Sequence, residues 1–198
     1  MTPALNFKKG SAALFSLALM AALPALAAGP QALAHVHGLA QLSVAVDGGQ
    51  VQIQLESPLD SLLGFEHAPR NAQQRETVRA MAKHLRQAGG LFVLTAAAGC
   101  QLTGVDLQSA ALPAELLQAQ TTASPVTPTV STKTAGAGAH ADLQASFSFT
   151  CSQPAALHSL QLQLFAAFPG LRQIDAQLAT ANKQRATRLT AKNPDLTW

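Results

Sequence analysis

Apolar and polar residues alternate near the start of the chain. Over residues 36–46 the apolar positions share one parity and His35 and His37 fall on the other, with the apolar set being Val36, Gly38, Ala40, Leu42, Val44 and Val46. A period of two predicts a half-buried strand. Asp47-Gly48-Gly49 predicts a turn, after which alternation resumes over residues 50–56 until Pro58 stops it. The segment is therefore predicted to be a β-hairpin.

A helix and further strands are predicted after the hairpin. Asn71 can cap a helix that runs to about Ala88, because Gln74 follows it at the spacing of a capping box and apolar residues recur at helical intervals. Alternation predicts strands at 142–149, 160–164 and 174–178. Further strands are predicted at 101–109, beside Cys100, and at 184–190, after a turn at 180–183. We therefore predict an α+β fold, a single β-rich domain of mainly antiparallel strands with one main helix.

The middle of the chain has a different composition. From about residue 113 to 139, Thr, Ser, Pro, Ala and Gly dominate, and large apolar residues are almost absent after Leu117. Such a segment buries too little apolar surface to offset the entropy of ordering it. We predict a flexible loop between two halves of one domain.

The first 28 residues have the pattern of a secretory signal peptide. Lys8 and Lys9 precede an apolar run over residues 12–23, and small residues at 25–28 resemble a cleavage site. The run is shorter than the roughly 20 apolar residues that a membrane-spanning helix needs. We expect a mature periplasmic domain over residues 29–198 that does not span the membrane.

Charge excludes one class of partner. Without Lys8 and Lys9 the formal net charge falls from +3 to +1. The chain has no cluster of Lys and Arg with interleaved aromatic residues, which is the pattern that follows a phosphate backbone. We therefore do not expect nucleic acid to be a partner.

The two cysteines, Cys100 and Cys151, both lie within the mature domain. An exported protein meets an oxidising compartment, which favours a disulfide between them. The alternative interpretation is a thiolate metal ligand or a catalytic cysteine.

Four of the six histidines lie where a metal ion could be bound. On a strand, His35 and His37 would project to the same side with Cα atoms about 6.6 Å apart. His140 and Asp142 repeat this spacing, and Glu66 precedes His67 in a predicted loop. Imidazole together with carboxylate suits zinc, and nickel or Cu(II) less specifically. Solvated histidines with no ligand role are the alternative for each pair.

Motifs for catalysis are scarce. The sequence has no G-x-S-x-G elbow, no phosphate-binding glycine loop and no H-E-x-x-H helix. A zinc hydrolase with Glu56 or Glu66 as its base, and an interaction module with incidental histidines, both remain as alternatives to a zinc-binding protein.

Several runs along the chain resemble the zinc-regulated periplasmic protein family of ZrgA type. The most specific run is Gly64-Phe65-Glu66-His67-Ala68-Pro69. The other matching runs are His35 to Ala40, residues 42–46, Leu55 to Pro58, Ala98 to Cys100, His140 to Asp142 with Phe147, Phe149 and Cys151, Leu164-Phe165, Phe168 to Gly170, and Asn193 to Trp198. The resemblance covers essentially the whole mature chain.

The resemblance implies a periplasmic zinc-binding protein that assists zinc acquisition, with no catalytic activity. Its implied partners are Zn²⁺ and an ABC-type zinc importer or that importer's solute-binding protein. By position it implies four ligands, His35, His37, His67 and His140, supported by Glu66 or Asp142. Relatives often carry a loop rich in His and Asp, whereas residues 121–139 contain neither. A single zinc ion therefore fits this chain better than several.

Overall fold

A computed structural model describes residues 36–118 and 141–198. The predicted signal peptide and two of the predicted ligands, His35 and His140, lie outside these residues. The strands are β1 (Leu39–Asp47), β2 (Gln50–Pro58), β3 (Phe92–Leu94), β4 (Cys100–Gln108), β5 (Asp142–Cys151), β6 (Ser159–Leu162), β7 (Gln173–Thr180), β8 (Gln184–Leu189) and β9 (Asp195–Thr197). The helices are α1 (Leu59–Leu63), α2 (Ala72–Arg86), α3 (Ala114–Leu117) and α4 (Leu164–Ala167).

Six strands form one mixed sheet, in the order β4-β5-β2-β1-β7-β8. All neighbouring strands in it are antiparallel except β1 and β7, which run parallel with Leu39 opposite Gln173. A second, antiparallel sheet has the order β3-β6-β9. The predicted β-rich α+β fold with mainly antiparallel strands and one main helix is thus confirmed.

The alternating segments become strands with one buried face. In β1 and β2 the apolar parity is buried, with Leu42, Val44, Val51 and Ile53 all 2% exposed or less. Opposite them, the polar parity points to solvent. The second sheet covers the inner face, since the fully buried rings of Phe92 and Phe147 lie 4.7 Å apart. The core therefore lies between the two sheets and the helices.

The main helix begins where its cap predicts. Asn71 accepts a 2.9 Å hydrogen bond from the backbone N–H of Gln74, and the Gln74 side chain accepts one from the N–H of Arg70. Val78, Met81, Ala82 and Leu85 form its buried stripe. The spacing of these four residues matches one face of an α-helix. Asn71 and this apolar stripe therefore predict α2 correctly.

The disulfide between Cys100 and Cys151 is confirmed, with an S–S distance of 2.04 Å. The two cysteines are directly paired residues of β4 and β5. The bond therefore fastens the edge strand β4 to its neighbour, and neither sulfur is available as a metal ligand or nucleophile. Among the described residues, no helix is long and apolar enough to cross a membrane.

Two local predictions are wrong. Residues 36–38 form a turn instead of the start of the strand, and Val36 is 57% exposed. Gly38 has φ of +84°, which interrupts an extended backbone. The predicted loop begins with helix α3, because Leu116 and Leu117 are buried and Arg86 donates hydrogen bonds of 3.1 and 2.7 Å to the Leu117 carbonyl. The remainder of that predicted loop, residues 119–139, lies outside the described residues.

Candidate metal site

His37 lies in the turn that leads into β1. The N–H of Leu39 donates to the carbonyl of Val36 at 3.0 Å, and the N–H of Gly38 donates to the buried hydroxyl of Ser61 at 2.9 Å. The second bond ties the turn to helix α1. His37 is therefore held against α1, and it is not on the strand face where the alternation placed it.

Two carboxylates flank the His37 ring. Its Nδ1 lies 2.6 Å from Oδ2 of Asp60, and its Nε2 lies 3.8 Å from Oε1 of Glu66. Asp60 belongs to the first turn of α1, which begins after Pro58 ends β2. Glu66 follows Gly64, whose left-handed conformation, with φ of +78°, ends α1 and turns the chain. Three short segments therefore bring one imidazole and two carboxylates together.

The two carboxylates raise the pKa of His37 above its ordinary value of 6.5. The hydrogen bond to Asp60 is the largest cause, and the negative charges of Asp60 and Glu66 add to it. Desolvation and the positive charge of Arg172 act in the opposite direction. A carboxylate only accepts hydrogen bonds, so Nδ1 carries the hydrogen toward Asp60. Near neutral pH the site favours a cation between its carboxylates.

Nε2 of His37 and Oε1 of Glu66 are two candidate metal-ligand atoms. Two ligands on a tetrahedral zinc ion lie roughly 3.3 Å apart, given metal–ligand bonds of about 2.0–2.1 Å. The 3.8 Å between Nε2 of His37 and Oε1 of Glu66 is close to that spacing. With 60% of the His37 side chain exposed, an ion has access to both atoms. Asp60, on the other nitrogen, would fix the orientation of the ring.

His67 lies one residue after Glu66 but is held separately. Its ring stacks on Phe65, with 5.2 Å between centroids, and its Nδ1 lies 2.9 Å from the carbonyl of Ala68. Because a carbonyl only accepts, Nδ1 donates the hydrogen in this contact. In residues 36–118 and 141–198, no three His, Cys, Asp or Glu side chains are close enough to hold a metal ion as they stand.

The strand that follows His140 begins next to helix α1. The N–H of Leu59 donates to the carbonyl of Ala141 at 2.8 Å, and Asp142 pairs with Pro58 in the β2–β5 register. Ala141 and Asp142 are therefore beside the segment that carries Asp60. His140, the residue before Ala141, lies outside the described residues, as does His35.

The remaining histidines are elsewhere in the fold. His84 is exposed on α2 and makes an edge contact with Phe168, with centroids 6.4 Å apart. His158 is exposed, and its Nδ1 lies 2.7 Å from the carbonyl of Ala156. Both were left out of the predicted ligand set, and neither is part of the site that His37 forms with the two carboxylates.

Sequence reasoning missed Asp60, Ser61 and Arg172. Asp60 had one usable signal, because an acidic residue two positions after a strand-ending proline is typical of the first turn of a helix. That signal predicts a helix start but does not predict contact with His37, which is 23 residues away. Ser61 and Arg172 gave no signal of a role at this site.

A known protein family matches the part of the chain that contains these residues. The family described as ZrgA family zinc uptake protein matches residues 34–198, which include every candidate ligand and the disulfide. The comparison with curated proteins gave no match. The family match covers far more than half of the chain. The chain therefore belongs to the ZrgA family of zinc uptake proteins.

Proposed function

We propose that this protein binds one zinc ion in the periplasm and assists its uptake, in association with an ABC-type importer or that importer's solute-binding protein. The observation that carries the proposal is the position of His37 between Asp60 and Glu66 in a member of a zinc uptake family. An imidazole oriented by one carboxylate, with a second carboxylate beside its other nitrogen, is suited to zinc.

Binding exchanges a proton for the metal ion. Asp60 keeps its hydrogen bond to Nδ1–H, so the Nε2 lone pair of His37 points toward Glu66. Zinc coordinates to Nε2 and to the Glu66 carboxylate, and the second imidazolium proton leaves to solvent. His67, His35 and His140 are the predicted sources of further ligands. Asp142 is a predicted supporting carboxylate.

Export is supported by two features. The N-terminal 28 residues have the signal-peptide pattern, and the chain contains a disulfide between Cys100 and Cys151. Disulfides persist in oxidising compartments such as the periplasm. We propose a carrier without catalytic activity, in which the Glu66 carboxylate acts as a zinc ligand and not as a general base.

Isothermal titration calorimetry with zinc on the purified, chelator-stripped protein tests the proposal. We expect about one ion per chain in the unmodified protein and a large loss of affinity in His37→Ala and in Glu66→Gln. His158→Ala is the matched control, because it removes an exposed histidine that is outside the predicted ligand set.

Two results would contradict the proposal. Absence of zinc binding in the unmodified protein would show that the histidines are incidental. Equal zinc affinity in His37→Ala and the unmodified protein would show that the ion binds at another place. Circular dichroism of each variant checks that the fold is retained.

A further inference from the structure

The six-stranded sheet has two edge strands, β4 and β8, which differ in what covers them. At β4, a bulge between Leu102 and Gly104 interrupts the regular pairing, and the Arg86 guanidinium donates to the carbonyl of Val105 at 3.4 Å. Within the described part of the chain, β8 has no bulge, and its backbone makes no hydrogen bond outside the β7–β8 hairpin. β8 is therefore the open edge of this sheet.

The turn between β7 and β8 shows which backbone groups of β8 point outward. The N–H of Thr180 donates to the carbonyl of Lys183 at 2.8 Å, so these two residues form a hydrogen-bonded pair. Hydrogen-bonded and non-hydrogen-bonded pairs alternate along antiparallel strands. In the β7–β8 register, the odd-numbered residues of β8 are then the ones that bond to β7. The N–H and C=O groups of Gln184, Ala186 and Arg188 therefore point away from the sheet.

This edge is strongly basic. Residues 176–194 contain no carboxylate. They carry four cations, all of them exposed: Lys183, Arg185, Arg188 and Lys192. Among the described residues, Asp175 is the one carboxylate that forms an ion pair with any of these, at 3.2 Å from Nε of Arg188. Since the mature chain has a formal net charge of only +1, the rest of it is net negative and the positive charge is concentrated beside β8.

Charge and open backbone groups together indicate what this edge can bind. Cations on an edge strand oppose pairing with a second copy of the chain, because like charges would then lie opposite each other. A strand that carries carboxylates meets opposite charges instead. An anionic lipid surface would also meet these cations, but it offers no main chain to pair with the alternating N–H and C=O groups of β8. The edge therefore fits an acidic peptide segment best.

We propose that β8 is a docking edge for an acidic, extended segment of a partner protein, which extends the six-stranded sheet by one strand. The main chain of the segment pairs with Gln184, Ala186 and Arg188, and its carboxylates lie beside the exposed cations. Main-chain hydrogen bonds give such a complex its affinity, and side chains give its specificity. This interaction does not depend on zinc binding at His37.

Fluorescence anisotropy with a labelled heptapeptide, in which Glu alternates with Thr, tests the inference. We expect the peptide to bind the unmodified protein, and to bind more weakly as salt concentration rises, because exposed charges are screened. The same peptide with Lys in place of each Glu should not bind. A peptide that keeps every Glu but carries methyl groups on its backbone nitrogens should bind about tenfold more weakly, because it cannot donate to the edge.

Two variants separate the charges of the edge from its backbone. Arg185→Gln/Arg188→Gln should weaken peptide binding by about fivefold through the loss of two exposed charges. Arg70→Gln/Arg75→Gln is the matched control, because it removes two exposed cations at the start of α2, which contacts β4 at the opposite edge of the sheet. Ala186→Pro removes one outward N–H, a position where an edge strand accepts proline, and should weaken binding by about tenfold.

Amide hydrogen exchange, followed by NMR, is a readout that charge attraction alone would not change. Peptide binding should slow exchange at Gln184, Ala186 and Arg188. It should leave Arg185 and Thr187 unaltered, because their N–H groups already bond to β7. Binding without this alternating protection would overturn the inference, and so would failure of the Glu peptide to bind.

Two further results would assign the edge to another partner and overturn the inference. The first is a dimer in analytical ultracentrifugation that Ala186→Pro dissociates, which would assign the edge to a second copy. The second is binding to vesicles of phosphatidylglycerol and phosphatidylcholine without binding of the peptide. Absence of zinc binding would overturn the proposed function and leave this inference standing.

Discussion

His37 and Asp60 are joined by a 2.6 Å contact between Nδ1 and Oδ2, although 23 residues separate them in the sequence. The contact exists because Gly38 turns the chain before β1 and its N–H bonds to Ser61, the neighbour of Asp60. The same contact raises the pKa of the His37 imidazole and orients the ring. Each role leads to a separate measurement.

Asp60→Asn should lower the pKa of His37 in the metal-free protein. The hydrogen bond and charge of Asp60 are the two largest causes of the raised pKa, so their removal should return it toward 6.5. Glu66→Gln should lower it less, because Glu66 contributes only through its charge. NMR titration of the His37 ring protons measures these values. An unchanged pKa in Asp60→Asn would contradict the assigned contact.

The raised pKa also sets a direction for stability against pH. Because the pKa of His37 is higher in the folded state than in the unfolded state, its contribution is fully present below about pH 6.5 and is lost as pH rises through the folded value. Urea denaturation at several pH values should show this loss in the unmodified protein and a smaller one in His37→Gln. A rise in the difference between the two proteins with pH would contradict the sign.

Asp60→Asn should also weaken zinc binding, by about 10- to 100-fold, because the ring loses the carboxylate that orients it. Competition with a chromophoric zinc chelator measures the affinity. Asp195→Asn is the control, since Asp195 is exposed on β9 and its substitution removes the same charge from the chain. If both variants bind zinc equally well, Asp60 has no role in orienting His37.

Patterns confined to neighbouring residues predicted the local elements well. The alternation around Asp47-Gly48-Gly49 predicted the β1–β2 hairpin, and Asn71 with the Val78 stripe predicted α2. Both depend on contacts between residues close in sequence. The parallel pairing of β1 with β7 joins residues more than 100 positions apart, and no local period encodes it. Short strands such as β3 were not predicted either, because three residues are too few to show alternation.

The candidate site was predicted by residue type but not by arrangement. His37 and Glu66 were singled out from ligand chemistry, and the structure places them 3.8 Å apart at their nearest polar atoms. The strand geometry expected for His37 is wrong because Gly38 fits an apolar parity as well as a turn, and only its positive φ distinguishes the two. Asp60 approaches through a long-range contact that depends on Ser61, so spacing along the chain does not reveal it.

Removal of the disulfide should reduce stability without removing zinc affinity. Cys100 and Cys151 are 51 residues apart, and closing a loop of that length restricts the unfolded chain by about 4 kcal/mol on the chain-entropy account. The free energy of unfolding of Cys100→Ser/Cys151→Ser, measured by urea denaturation, should therefore be lower by an amount of that order. Asp142, the one predicted supporting residue on these two strands, lies at the opposite end of β5 from Cys151. Calorimetry of the folded variant should therefore still detect zinc binding. Loss of binding by a folded variant would indicate that β4 and β5 support the site.

Gly38→Ala tests whether the turn positions His37. The position has φ of +84°, and a Cβ there would lie 3.1 Å from both the Gly170 carbonyl and Cγ of Arg172. The side chain would therefore add a close contact to a backbone conformation that alanine disfavours by about 1–2 kcal/mol. We expect a loss of stability above that amount, with zinc affinity lowered because the turn and the His37 ring shift away from Asp60.

Gly48→Ala separates the effect of backbone strain from the effect of the close contact at Gly38. Gly48 also has positive φ, +53°, but a Cβ there meets no heavy atom within 4 Å. It should lose stability through backbone strain alone and keep the zinc affinity of the unmodified protein. Chemical denaturation and zinc titration of both variants give the comparison. If Gly38→Ala and Gly48→Ala lose equal stability and bind zinc equally, the close approach of Arg172 and Gly170 to Gly38 does not hold His37 in place.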